Sequence, residues 1–128
     1  MTDYVMALII KNDTMSINFS GSGEWIMVEH INRGWELPGG KPKKDESIED
    51  AIKREVFEET GLRATIKKGP EKYEGGVVFL MQTSDNSTNL TTPPDPMIKS
   101  VKWHSKPPNN LAWGLQELNE IVELFSLK

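Results

Sequence analysis

A chain of 128 residues fits one domain with a real core, and 37% hydrophobic against 27% charged residues is too apolar for wholesale disorder. A net charge of −4 and a pI near 5.2 argue against a broad electrostatic grip on nucleic acid or on an anionic membrane. Any phosphate-rich ligand must then bring or share cations, and the lack of cysteine excludes disulfides and thiolate metal sites.

The opening MTDYVMALIIKN carries Asp3 where a signal peptide would carry basic residues. Its apolar run from Tyr4 to Ile10 is too short for a signal peptide or a bilayer span. The run reads as a buried strand of a soluble, cytoplasmic protein. TMSINFSGSGE suggests a hairpin or exposed connection, and WIMVEH, Trp25 to His30, a second strand. INRGWELPGGKPKKDES follows as a long loop rich in glycine and proline, with Trp35 isolated in it.

From Ser47 to Thr60 the pattern turns helical, with Ser47 as N-cap and Gly61 as the stop. Leu62 to Ile66 and Gly75 to Thr83 read as strands. The polar stretch from residue 84 to 96 is a loop long enough to suggest function or mobility. Ile98 to His104 alternates into another strand around Trp103, and Leu111 to Leu127 has the spacing of an amphipathic closing helix. Without repeats or linkers, this order predicts a single α+β domain in which helices cover one mixed sheet.

The helix poses the sharpest question. At about 100° per residue, Ile48, Ala51 and Ile52 define an apolar stripe, and Glu55 and Glu59 continue it, with Glu58 at its border. A solvated charged face would account for Arg54, through i,i+4 pairs with Asp50 and Glu58. It leaves three acids crowding the inward side unexplained, and buried carboxylates need positive charge among them. Hard divalent cations with oxygen ligands, magnesium or manganese, satisfy that need. Pro38-Gly39-Gly40 just upstream suggests a turn where backbone groups approach a ligand or ion.

Read from Gly40, the chain gives five residues, Glu46, seven residues, Arg54-Glu55-Val56, one residue, Glu58-Glu59, one residue, then Gly61-Leu62. Every fixed position of G-x5-E-x7-R-E-U-x-E-E-x-G-U is filled, U being aliphatic. That pattern resembles the defining box of the Nudix hydrolases. Trp35-Glu36-Leu37-Pro38-Gly39 is similar to the usual approach to the box, and the size suits the small, MutT-like members.

The resemblance implies an α/β/α sandwich and cation-dependent hydrolysis of a nucleoside diphosphate linked to another group. It implies Glu58 and Glu59 as the main magnesium ligands, the Gly39 carbonyl as a further ligand, and Glu55 as a ligand or base. Arg54 would hold a glutamate in position, and Glu46 would brace the loop against the helix, with Gly40 supporting the site. The small-molecule partner would be a nucleotide, and since dimers are frequent in the family a homodimer is admitted.

Substrate choice lies outside the box. Val78 and Leu80 stand where ADP-ribose-cleaving and diadenosine-polyphosphate members tend to carry proline and tyrosine, so neither subfamily is supported. Ser100-Val101-Lys102-Trp103 lacks the acid of an E-x-x-W-like sequence; Asp95 is the substitute on offer, or else a turn residue between prolines. Asn110 matches the purine-reading asparagine of MutT-type enzymes, or else caps the closing helix. Trp35 is the base-stacking candidate, whereas Trp25 and Trp103 read as core and Trp113 as packing for the closing helix. A nucleotide-sanitising pyrophosphohydrolase is therefore favoured. A nucleotide sensor that does not turn over and an RNA 5′-end hydrolase are the rivals, the last weakened by the acidic charge.

Overall fold

The computed structural model describes residues 3–83 and 95–128, so most of the loop expected over 84–96 lies outside the described residues. Strands β1 (Val5–Lys11), β2 (Trp25–His30), β3 (Gly34–Glu36) and β4 (Gly39–Gly40) precede helix α1 (Ile48–Thr60). Strands β5 (Thr65–Tyr73), β6 (Gly76–Thr83) and β7 (Ile98–His104) and helix α2 (Leu115–Leu124) follow. The strands form one mixed sheet in which β1 and β6 run parallel, from Val5 opposite Val77 to Lys11 opposite Thr83.

The period-two geometry of β1 explains why its apolar run is continuous. Val5, Ala7 and Ile9 join Val77, Phe79 and Met81 in a core beneath α1, while Met6, Leu8 and Ile10 join Val78 and Leu80 in a second core beneath α2. Both faces are thus covered, and the α/β/α sandwich stands as expected.

Three boundaries differ from the sequence reading, each for a physical reason. The strand after α1 starts at Thr65 and continues to Tyr73, because TIKKGPEKY pairs with β6 along one edge and is otherwise mostly exposed. Such an edge strand carries charge and proline in place of an apolar alternation, so the pattern hides it. The glycine-rich loop contains two short strands: Gly39 and Gly40 pair with Met6 and Val5, and Trp35 and its neighbours pair with β2. The closing helix runs only from Leu115 to Leu124, because Gly114 lies at φ 85° and Asn110 and Ala112 are tied to Trp35 by backbone hydrogen bonds.

Helix α1 matches its predicted limits. The Ser47 hydroxyl accepts the Asp50 N–H at 3.0 Å, and Gly61, at φ 76°, donates its N–H to the Phe57 carbonyl at 2.9 Å. The helix buries Ala51, Ile52 and Val56, and with them Glu59. Replacing Ser47 by alanine should therefore lower the unfolding free energy by about 1 kcal/mol in urea titrations, with the slope of the transition unchanged.

Candidate active site

Two of the three glutamates, Glu55 and Glu59, meet the glycine turn at very short range. A Cβ on Gly40 would stand 2.6 Å from the Glu55 carboxyl, and one on Gly39 would stand 2.2 Å from the Val5 carbonyl oxygen, so neither position admits a side chain without displacement. With side chains absent, the Gly39 N–H reaches the Glu59 carboxylate at 2.8 Å. Helix and loop are thereby joined at the point where the acids gather.

Arg54 organises the rest. Its guanidinium grips Glu46 with two bonds, 2.8 and 2.9 Å, and donates to Glu55 at 2.7 Å and to Glu58 at 3.3 Å. A further bond reaches the Lys41 carbonyl at 3.2 Å. The bidentate arginine, helped by the Lys43 N–H, holds the Glu46 carboxyl down at about 2, and the same bonds raise Arg54 further. Glu46 thus ties the 41–46 loop to α1.

Burial dominates the other end. It pushes Glu59 up to about 8, against the lowering effect of the Gly39 N–H, and Glu55, Glu36 and Asp95 add repulsion. Burial raises Glu55 as well, and Asp95 again contributes. Asp95 also performs the turn role: its side chain accepts the Met97 N–H at 2.9 Å. The structure therefore brings Asp95 within electrostatic reach of the glutamates while using it as a turn former.

Among the described residues no three histidine or acidic side chains converge on one point, because Arg54 draws Glu55 and Glu58 and the Gly39 N–H holds Glu59. The donor set nevertheless fits a hard divalent cation. It offers carboxylate oxygens on one helical face, and Glu59, 6% exposed, accepts one N–H as its hydrogen bond among the described residues.

A cavity of about 660 Å³ opens beside Gly39 and Gly40. Arg33, Glu36, Trp113, Glu117 and Glu120 line it together with Tyr4 and Met6. Trp35 does not: its ring stands edge-on to His104, 4.7 Å between centroids. Trp113 is the tryptophan at this cavity, beside Tyr4 and Tyr73; it is more than half exposed, and its Nε1–H donates to Glu36 at 3.0 Å instead of packing α2. Asn110 is also outside the lining and caps no helix. At φ 65° its carbonyl accepts the Trp35 N–H at 3.0 Å, and its amide packs on Gly34. Glu117 and Arg33 carried no sequence signal beyond ordinary surface charge, since only the closure of α2 over β1 makes them a wall.

The structure sets a glycine turn against a helix whose glutamates share one arginine, and the comparison with known families covers most of the chain. The NUDIX domain matches residues 12–123, and the chain belongs to that family. Among relatives, YtkD of Bacillus subtilis (strain 168) is 46% identical over 52 residues, 41% of this chain and 33% of that protein. An 8-oxo-dGTP diphosphatase of Buchnera aphidicola subsp. Schizaphis graminum (strain Sg) is 34% identical over 62 residues, 48% of this chain and 44% of that protein. The matched stretches span less than half of these relatives. A NUDIX-family hydrolase from Clostridium perfringens shares the fold, with a TM-score of 0.65 at 20% identity over 96% of this chain and 97% of that one.

The raised Glu59 makes a stability prediction. A carboxyl that holds its proton more tightly when folded favours the folded state at low pH, and that advantage is lost as pH rises toward the folded value of about 8. In chelator, unfolding free energy should fall by roughly 1 kcal/mol or more between about pH 5.5 and 8.5. Glu59→Gln should remove most of that slope and stabilise the metal-free protein at the alkaline end, as read by urea unfolding at both pH values.

Proposed function

We propose that the chain is a divalent-cation-dependent pyrophosphohydrolase, with magnesium or manganese as the cation and a modified nucleoside triphosphate as the preferred substrate class. The observation that carries this reading is the approach of Glu55 to Gly40 and of Glu59 to Gly39, with Glu58 held by Arg54 on the same helix, at the edge of a ligand-sized cavity in a NUDIX chain. The Buchnera relative's name, 8-oxo-dGTP diphosphatase, supports the triphosphate class.

Each residue has a physical part. Glu58, nearly half exposed, and Glu59, buried, would hold the cation with the Gly39 backbone. When bound, the cation neutralises the diphosphate, polarises phosphorus and makes bound water more acidic. Glu55, beside Gly40, is placed to ligate or to take the proton of the attacking water. Arg54 fixes the orientation of Glu55 and Glu58 while anchored to Glu46. The walls of the cavity hold the remainder of the nucleotide.

A sensor that binds without turnover drew support only from the missing acid at Ser100. Asp95 lies within electrostatic reach of Glu55 and Glu59, and the complete box at Glu55, Glu58 and Glu59 favours the enzyme.

Chromatographic product analysis over nucleoside triphosphates, oxidised triphosphates, ADP-ribose, diadenosine polyphosphates and capped RNA tests the proposal. Turnover of a triphosphate is expected, abolished by chelator and lowered by about 10³-fold or more in Glu59→Gln. Arg54→Lys keeps the charge but loses the bidentate fork, and should cost about 10- to 100-fold in kcat. Magnesium-dependent binding of a nucleotide with no turnover of any compound would establish the sensor instead.

A further inference from the structure

Nε1 of Trp25, Nε1 of Trp103 and Nε2 of His104 are buried without a hydrogen-bond partner among the described residues. Two of these nitrogens belong to one cluster of rings. His104 closes β7 opposite Trp25 of β2, with 6.4 Å between ring centroids, and it meets the Trp35 ring of β3 at 4.7 Å and 76°. An indole N–H can only donate, and it keeps its proton at any ordinary pH. An imidazole nitrogen can be bare or protonated, so His104 is the member of the cluster whose state can change.

What rests on that ring is one wall of the approach to the cavity. Trp35 donates its N–H to the Asn110 carbonyl at 3.0 Å, and its own carbonyl accepts the Ala112 N–H at 2.8 Å. The two bonds tie residues 110–112 to β3 as a strap. At the next position the Trp113 indole donates to Glu36, and both side chains line the cavity. Gly114 follows at φ 85°, and a Cβ there would meet nothing within 4 Å, so the strap is fixed from its Trp35 and Glu36 side.

We infer that His104 is a positioning residue for the cavity and a proton-sensitive prop: as a neutral ring it seats Trp35 and through it the 110–113 strap, and on taking a proton it lets them loosen. A protonated imidazole carries N–H on both nitrogens, and the buried one would point among rings with no acceptor among the described residues. Burial, with Lys102 of the same strand adding repulsion, holds the imidazole below its ordinary value, and the rings that face it from β2 and β3 are uncharged. Once the strap opens, the ring meets water and takes its proton at the ordinary 6.5, so the closed form loses ground as pH falls below that value. Glu59 acts in the opposite direction, since its burial favours the folded chain in acid, and the two effects therefore separate in one titration.

Hydrogen exchange of the full chain, followed by NMR in chelator at about pH 5 and 7.5, tests this, each rate being divided by that of an unstructured peptide at the same pH. Protection of the Trp35 and Ala112 amides is expected to fall about threefold or more at the lower pH, while amides of the β1–β6 ladder hold or gain. His104→Phe keeps a ring without a titrating nitrogen, and should keep both strap amides within about twofold over the same interval. Independently of whether that variant folds, the His104 imidazole of the wild-type chain should titrate with a midpoint below 6.5. A midpoint at or above that value, as would follow if the indole faces stabilised the cation, overturns the proposal. So does equal strap protection at both pH values, an equal fall in His104→Phe, or a fall shared by the β1–β6 ladder.

Discussion

One guanidinium makes the helix possible. Glu55 and Glu58 project from neighbouring turns of α1 and Glu46 comes in from the loop, and without a shared cation between them their repulsion would splay the loop from the helix. Arg54 meets all three, and its rigid fork matches the Glu46 carboxylate in a way that a lysine ammonium does not. Because the arginine is one-fifth exposed and bonded on several sides, it is a fixed point and not a swinging surface charge. The glycine turn, α1 and the cavity mouth are all referenced to it.

Glu59 stands outside that arrangement, which divides the acidic cluster into two electrostatic classes. Glu46 is a compensated charge, held ionised far below ordinary values, while Glu59 is a buried carboxyl that favours its protonated form and accepts a single N–H. The compensated charge maintains shape. The buried carboxyl is one whose ionised form a cation would stabilise, kept in place by the two glycines that let the backbone come so near.

The parts of this organisation that were legible in the sequence share a cause: they are local. The cap at Ser47, the stop at Gly61 and the inward glutamates follow from helical periodicity over a dozen residues. Buried β1 and β6 were legible because strands covered on both faces are apolar throughout. Strand β5 was mistimed because one edge and two exposed faces leave little apolar pattern to read. Trp35 reads in sequence as the base-stacking candidate and Trp113 as packing for the closing helix, and the structure exchanges their places, since each is a tryptophan near glycine with no local signal of where its ring goes. Only the pairing of Trp35 with residues 110–112 sends one ring against His104 and the other to the cavity rim. The wall containing Glu117 joins elements from opposite ends of the chain, and no local pattern announces such a meeting.

The parallel pairing of β1 with β6 also has a cost in time. Each residue of β1 finds its partner seventy-two positions further along, as Val5 does in Val77. At ribosomal speeds of about 5–20 residues per second, the stretch VMALII is made roughly 4 to 14 s before the strand that covers its long edge. During that interval six consecutive buried-type residues, uncharged and free of proline, have every property of a segment that pairs with a copy of itself. A polysome making this chain thus carries its most association-prone stretch uncovered, and slowing synthesis between residues 11 and 76 would lengthen that exposure without changing a single contact of the finished fold.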